Sequence, residues 1–407
     1  MQPVSQARGN GVELGKGTET ATASGVSRAQ GAGGSNRARH ICVVGLRGIP
    51  DVIGGIEAHC QQLYPRLVKL SGGTRVTVLI RYGYTQRRLS EYEGIQVRTI
   101  WSPRIWGVDT VVHSFLSVLY ARLFLRPDVL HLHGIGPGFF TPLARMLGMR
   151  TVVTHHARDY LRPKWSRRGQ TFLRLGEMFS AHSANAVICV SKALHHEFVD
   201  AYPVARSRAR VIPNASALAA RVPDHIEPVL ARFGLVPNGY VLAVGRLDAA
   251  KSFDELIAAF KQARPDCKLV IVGSEIGNEA HAAELWEHRS NNIIFTGFQS
   301  GEVLASLYRG AALFVHPSRL EGYGLVIAEA LTLGLPLIVS DIPPHLEFEL
   351  PQQCYFPAGD VEALAAKLRG GNYQQYRAPA ASEDQRGRDW NDIAASHLEL
   401  YRELAGS

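Results

Sequence analysis

Two glutamates separated by seven residues, Glu321 and Glu329, mark the most chemically suggestive stretch of the chain. They lie in His316–Asp341, where a short apolar run ends near Pro317 and a loop carries Glu321, Gly322, Tyr323 and Gly324. A helical pattern then begins at Leu325 and carries Glu329 in its second turn. Glycines let backbone approach a ligand closely, and a helix N-terminus offers unpaired N–H groups to an anion. The two carboxylates can accept hydrogen bonds from hydroxyl-rich ligands, one from a sugar and one from a ribose. Upstream, Gly245-Arg246 ends an apolar run, with Lys251 five residues after the arginine. Two fixed cations at a strand end suit a diphosphate, and they would stabilise negative charge developing on a leaving group.

Three further groups fit the same chemistry. Gly54 and Gly55 separate the first apolar run from its helix, with Arg47 just before them. His155 and His156 follow another run and lead into Asp159, Arg162 and Lys164. Smaller candidates end other runs: His133, Gly273, and Phe298 with Gln299. The chain contains no D-x-D triplet, and Arg246 and Lys251 are present, so charge neutralisation without a metal is expected.

These residues need a scaffold that brings distant loops together. Short apolar runs at His40–Leu46, Arg75–Arg81, Ile95–Ile100, Val129–Gly134, Thr151–His155, Ala186–Ser191 and Arg210–Pro213 alternate with helical stretches. The alternation pauses at Asn214–Asn238, which contains three prolines. It resumes at Tyr240–Gly245, Lys268–Gly273, Ile293–Gly297, Leu313–Pro317 and Pro336–Ser340. This is the pattern of α/β domains whose parallel sheets are covered on both faces. The predicted organisation is a tail at 1–38, a first domain at 39–214, a second at 215–388, and a helix at 389–407 returning to the first. The tail is rich in Gly, Ala, Ser and Thr and is expected to be disordered. Ligands in such sheets gather at the strand C-terminal ends, so the two domains should face a common cleft.

Composition narrows the function classes. The 407 residues are 46% hydrophobic and 20% charged, enough for two cores. The five cysteines form no CxxC pair, which argues for a reducing compartment and against a metal site. No run of about 20 apolar residues occurs. The nearest, Val111–Leu125, is expected to be a buried domain helix. Charge divides unevenly: Arg37–Arg210 holds 25 Lys and Arg against 10 Asp and Glu, whereas Ser216 onward holds 16 against 24. A basic cluster at Arg158, Arg162, Lys164, Arg167, Arg168 and Arg174 is interleaved with Trp165, Phe172, Leu173 and Leu175. That pattern suits an amphipathic helix on an anionic membrane surface. Nucleic acid is not expected as a partner, since neither a stacking platform nor a zinc motif accompanies the basic half.

In combination, the paired glutamates, the following Gly-Leu-Pro and Ser-Asp, the Gly-Arg…Lys element and the glycine loop resemble the retaining glycosyltransferases of family 4. The resemblance covers nearly all of residues 40–405, and the Gly45–Glu57 segment looks like a subgroup that makes bacterial surface polysaccharides. It implies a GT-B fold, two facing Rossmann-like doubly wound domains. It also implies transfer from a nucleotide-sugar donor, a substrate rather than a cofactor, to a saccharide acceptor, here one linked to polyprenyl diphosphate. The implied catalytic residues are His156, Glu321, Arg246 and Lys251. Gly54, Gly55, Gly245, Gly273, Phe298, Gln299, Gly322, Tyr323, Gly324, Leu325 and Glu329 would hold the donor. Arg47, His133, Asp159, Arg162 and Lys164 would lie on the acceptor side. The expected location is cytoplasmic, at the inner face of the plasma membrane. Ser252, Ala157 and Ala215 depart from the family pattern, which usually has glycine at each place. A sugar-nucleotide epimerase or hydrolase, or a non-catalytic sugar-nucleotide-binding protein, would use a similar cleft. The glutamate pair beside two diphosphate cations disfavours both.

Overall fold

The apolar runs form strands of two separate sheets in the computed structural model, which describes residues 40–85, 89–105, 107–216, 218, 221–275, 279–378 and 389–406. The expected disordered tail at 1–38 lies outside these residues. The first sheet contains β1 (His40–Leu46), β2 (Arg75–Arg81), β3 (Glu91–Tyr92), β4 (Ile95–Ile100), β5 (Val129–His133), β6 (Arg150–His155), β7 (Ala186–Cys189) and β8 (Ala209–Val211). Their order is β3-β4-β2-β1-β5-β6-β7-β8. All neighbours are parallel except β3, which pairs antiparallel with β4. The second sheet contains β9 (Tyr240–Val244), β10 (Lys268–Val272), β11 (Ile293–Gly297), β12 (Leu313–His316), β13 (Leu337–Ser340) and β14 (Tyr355–Phe356). Its order is β11-β10-β9-β12-β13-β14. In each sheet the order reverses at the first strand, so β1 and β9 carry the switch points beside which ligands bind. Arg47 and Arg246 follow those two strands.

The strands read as unbroken apolar runs because helices cover both faces. One face of the first sheet packs Ile41, Val43, Leu63 and Tyr64 against Trp390, Ile393 and Tyr401. The last three belong to helix Trp390–Gly406, which thus lies on the first sheet although it follows the second in sequence. The opposite face packs Cys42, Val44, Leu132 and Val187 with Val118, Ala144 and Phe198. The second sheet has its own core around Tyr240, Phe253, Leu307, Tyr308 and Phe314. Leu218, Leu230 and Leu235 from the proline-rich connection join that second core.

Helix Val108–Tyr120 and its π-helical continuation Ala121–Leu125 depart from the buried helix expected there. Only 33% of this segment is buried. His113, Ser114, Ser117, Val118 and Ala121 face the sheet, whereas Val108, Phe115, Leu123 and Phe124 face outward. Small and polar residues take the inner positions, so the apolar bulk is left for the surface. Arg122 Nε donates to the Leu147 carbonyl at 2.8 Å. This bond ties the tip to the end of helix Thr141–Met146, whose Met146 is 85% exposed.

Candidate active site

The C-terminal ends of β1, β6, β9, β10 and β12 converge on one cleft of about 400 Å³. On the second-domain side, helix Leu325–Thr332 starts at Gly324, whose φ of 99° is tolerated without strain only by glycine. No side chain caps this helix, and its first residues, Leu325 and Val326, line the cleft beside Gly322, Tyr323 and Gly324. Tyr323 also packs against the core of the first domain. A Cβ on Gly322 would overlap the His156 carbonyl, so the two domains meet backbone to backbone at this point.

Glu321 is held from two directions. Its Oε1 accepts from Lys251 Nζ and from His316 Nε2, the latter at 2.8 Å. Burial opposes its ionisation, but Lys251 and then His316 outweigh that and hold it well below the usual carboxylate range. Glu329 is held differently. Burial raises its carboxyl to about 7, offset only partly by the Tyr308 hydroxyl, which donates to Oε2 at 2.8 Å. The loop and the helix after it thus present one firmly ionised carboxylate and one poised near neutrality. His316, Glu321 and His345 offer ligand atoms within 4.8 Å of one another. Lys251 already supplies a cation to that glutamate, and the ammonium stands where an ion would compete with it.

Arg246 and Lys251 both line the cleft, with Gly245, Gly273, Phe298 and Gln299 around them. Arg246 Nη2 pairs with Asp248 at 3.1 Å. Asp248 also accepts from Arg162 Nη1 at 3.1 Å, and Arg162 Nε donates to Asp159 at 2.8 Å. A chain of alternating charges therefore runs from the second domain into the first. Burial and then Arg246 lower Lys164 to about 8, although Lys164 does not line the cleft itself.

From the first domain come Gly54, Gly55, Arg47, Asp159, Arg162 and His156. Arg47 closes its own loop: Nε donates to Glu57 at 2.9 Å and Nη2 to the Ile53 carbonyl at 2.6 Å. His155 points away, its Nε2 on buried Glu177 at 2.7 Å, which leaves His156 as the cleft histidine. The expectation that His133 borders the cleft is not met. It is fully buried behind His156, with its Nδ1 3.0 Å from His156 Nε2, because alternate residues of β5 point to the side covered by the first helix. The basic cluster is also redistributed. Arg162 faces the cleft, Lys164 lies near Arg246, and Arg158 pairs with Glu197 at 2.8 Å. Only Arg167, Arg168 and Arg174 stay on the outer face of helix Arg167–Ser183.

Two family models match this arrangement, Glycosyltransferase Family 4 over residues 53–218 and Glycosyl transferases group 1 over residues 236–370. The chain belongs to glycosyltransferase family 4. Among curated relatives, the transferase is 28% identical over 294 residues to the GDP-mannose:cellobiosyl-diphosphopolyprenol alpha-mannosyltransferase of Xanthomonas oryzae pv. oryzae, covering 69% of this chain and 75% of that one. It is 23% identical over 282 residues to O-antigen chain mannosyltransferase B of Escherichia coli, covering 66% and 74%. Among solved structures, Anabaena HepE in complex with UDP and glucose superposes with a TM-score of 0.72 at 21% identity, covering 90% of this chain and all of that one. The fold is GT-B. Sequence reasoning missed Asp248, Glu57, His316 and Tyr308, each a partner of a residue it did find. Asp248 was two residues from Arg246 and could have been read as its counter-ion. Glu347, which reaches from the second domain to accept from Lys192 N of the first at 2.8 Å and from Ala193 N, carried no local signal.

Proposed function

We propose that the transferase moves a sugar from a nucleoside-diphosphate donor to a lipid-linked saccharide, with retention of the anomeric configuration. The observation that carries this reading is the meeting of Arg246, Lys251, Glu321, Glu329 and an uncapped helix N-terminus opposite His156 in one cleft. The donor diphosphate would lie on Arg246, Lys251 and the first N–H groups of helix Leu325–Thr332. Glu329 would accept from the ribose hydroxyls. Glu321, with Oε1 taken by Lys251 and His316, would accept from the sugar through Oε2.

As the sugar–phosphate bond breaks, its electron pair passes to the diphosphate oxygen, where the fixed cations and amides stabilise it. The acceptor hydroxyl attacks the oxocarbenium-like carbon from the same face, and its proton passes to the departing oxygen. No metal enters this account. The acceptor reading draws on the diphosphopolyprenol named for the Xanthomonas relative. It draws also on the exposed ridge of Phe115, Leu123, Phe124 and Met146, beside exposed Arg122, Arg126 and Arg145. Apolar side chains flanked by arginines suit an anionic bilayer surface.

A panel of UDP-, GDP-, ADP- and dTDP-sugars, with and without EDTA, tests the donor half against Glu329→Ala. One donor should bind, turn over in EDTA and lose affinity in the variant; a product of inverted anomer would rule out the front-side route.

A further inference from the structure

Behind His156 lies a buried set of rings drawn from distant parts of the chain. His133 Nδ1 is 3.0 Å from His156 Nε2, and His133 Nε2 is 2.5 Å from the Tyr64 hydroxyl. The Tyr64 hydroxyl is 3.0 Å from His131 Nδ1, which is also 2.6 Å from the Tyr401 hydroxyl. His131 Nε2 is 2.7 Å from Thr154 Oγ1. His59 packs edge-on against His156 with ring centres 5.1 Å apart, and its Nδ1 is 2.6 Å from Asn214 Oδ1, where the chain leaves the first domain. Burial, and then repulsion among the neighbouring imidazoles, keep His131, His133 and His156 neutral. A neutral imidazole carries one N–H and one acceptor nitrogen, so each ring's partner dictates its tautomer.

Each hydroxyl can both donate and accept, so the contacts fit two opposite orders of donors, and the relative acidity of the groups chooses between them. Two phenols reach His131 Nδ1, and a phenol is a stronger acid than a neutral imidazole N–H, so the favoured order has that nitrogen accepting and the ring proton on Nε2, directed at Thr154. One lone pair takes one proton, and Tyr401 is the nearer phenol. The Tyr64 proton is then left for His133 Nε2. His133 carries its own proton on Nδ1 and donates to His156 Nε2, which leaves the His156 N–H on Nδ1.

We propose that this relay, running from Tyr401 on the last helix through His131, Tyr64 and His133, fixes His156 as the Nδ1–H tautomer. Tyr401 is thereby a positioning residue for the cleft. The inference deepens the transferase reading, since a histidine facing the donor sugar must present a donor or an acceptor, and the relay selects the donor. It also links the last helix to the chemistry. Without the Tyr401 hydroxyl, His131 Nδ1 takes the Tyr64 proton, His133 reverses, and His156 presents an acceptor where it had presented a proton.

Ring 15N–1H correlation spectra of the full-length protein labelled with 15N-histidine test this without any ligand, with His156 assigned through His156→Asn. The wild type should show His156 as Nδ1–H and His131 as Nε2–H, and Tyr401→Phe should invert His133 and His156. The opposite tautomers in the wild type, or rings unmoved by Tyr401→Phe, would overturn the relay whether or not the protein transfers sugar. With the donor that the panel identifies, Tyr401→Phe and Tyr64→Phe should each lower kcat by about tenfold or more, with donor KM and melting temperature nearly unchanged. Inverted rings with unchanged kcat would refute the positioning role. A wild type that turns over no donor would instead count against the transferase reading and leave the spectra to decide the relay.

Discussion

Glu329 inside the proposed donor site and Lys164 just outside it, near Arg246, set opposite limits on the pH range that favours donor binding. Glu329 titrates at about 7, and an ionised carboxylate is the better acceptor for a ribose. Donor affinity should therefore fall as pH drops, by roughly tenfold between pH 8 and 6. Glu329→Gln should flatten that limb in a calorimetric titration. The same shift has a stability sign. The folded pKa lies above the unfolded one, so the folded chain retains a proton that the unfolded chain has lost. Stability is therefore lost as pH rises from the ordinary carboxylate range through 7, and Glu329→Gln should remove that slope from denaturant melts. Lys164, lowered to about 8 by burial and then by Arg246, adds positive potential beside Arg246 only while protonated, so donor KM should rise above that pH, and Lys164→Met should abolish the rise.

At this scale the sequence was most legible where partners are close along the chain. Arg246 with Lys251 and Glu321 with Glu329 lie within ten residues of each other, so spacing alone exposed them. Tyr64, His131 and Tyr401 meet across separations of 67 and 270 residues, and no local pattern announces such a meeting.

Among the elements, the loop Glu321–Gly324 leaves little room for change. A methyl at Gly322 would meet the His156 carbonyl, so Gly322→Ala should hold the domains apart and lower kcat/KM by about 10²-fold without unfolding the protein. A melting temperature that falls in step with activity would show a packing defect instead. The helix Trp390–Gly406 is the second sensitive element. Trp390 is 1% exposed, and Trp390→Ala should cost about 3–5 kcal/mol in a denaturant melt. The strands were legible because each is an apolar run bounded by turn residues. The outward turn of Val108–Leu125 was not, because composition gives the amount of apolar surface and not its direction. The deciding clue was the inward set His113, Ser114, Ser117 and Ala121, at spacings of one, three and four.

The whole molecule combines a basic first domain, bearing an exposed apolar ridge, with an acidic second one. Electrostatic attraction to an anionic bilayer favours approach by the first domain. Pelleting with phosphatidylglycerol vesicles should weaken with rising salt and be lost in the double substitution Leu123→Glu, Phe124→Glu. Donor hydrolysis in solution should be unaffected. Pelleting that survives this change would place any membrane contact elsewhere.

The helix Trp390–Gly406 also bears on how the protein can be divided. Part of one flank of the first domain, where Trp390, Ile393 and Tyr401 pack beside Leu63 and Tyr64, stays uncovered until the whole second domain has left the ribosome, so folding of the first domain cannot finish in order of synthesis. A fragment of the first domain made alone would carry a raw apolar flank and tend to clump. Adding the 390–406 segment back as a separate peptide should make that fragment soluble, which turns the return of the chain into the seam along which the enzyme could be split and reassembled.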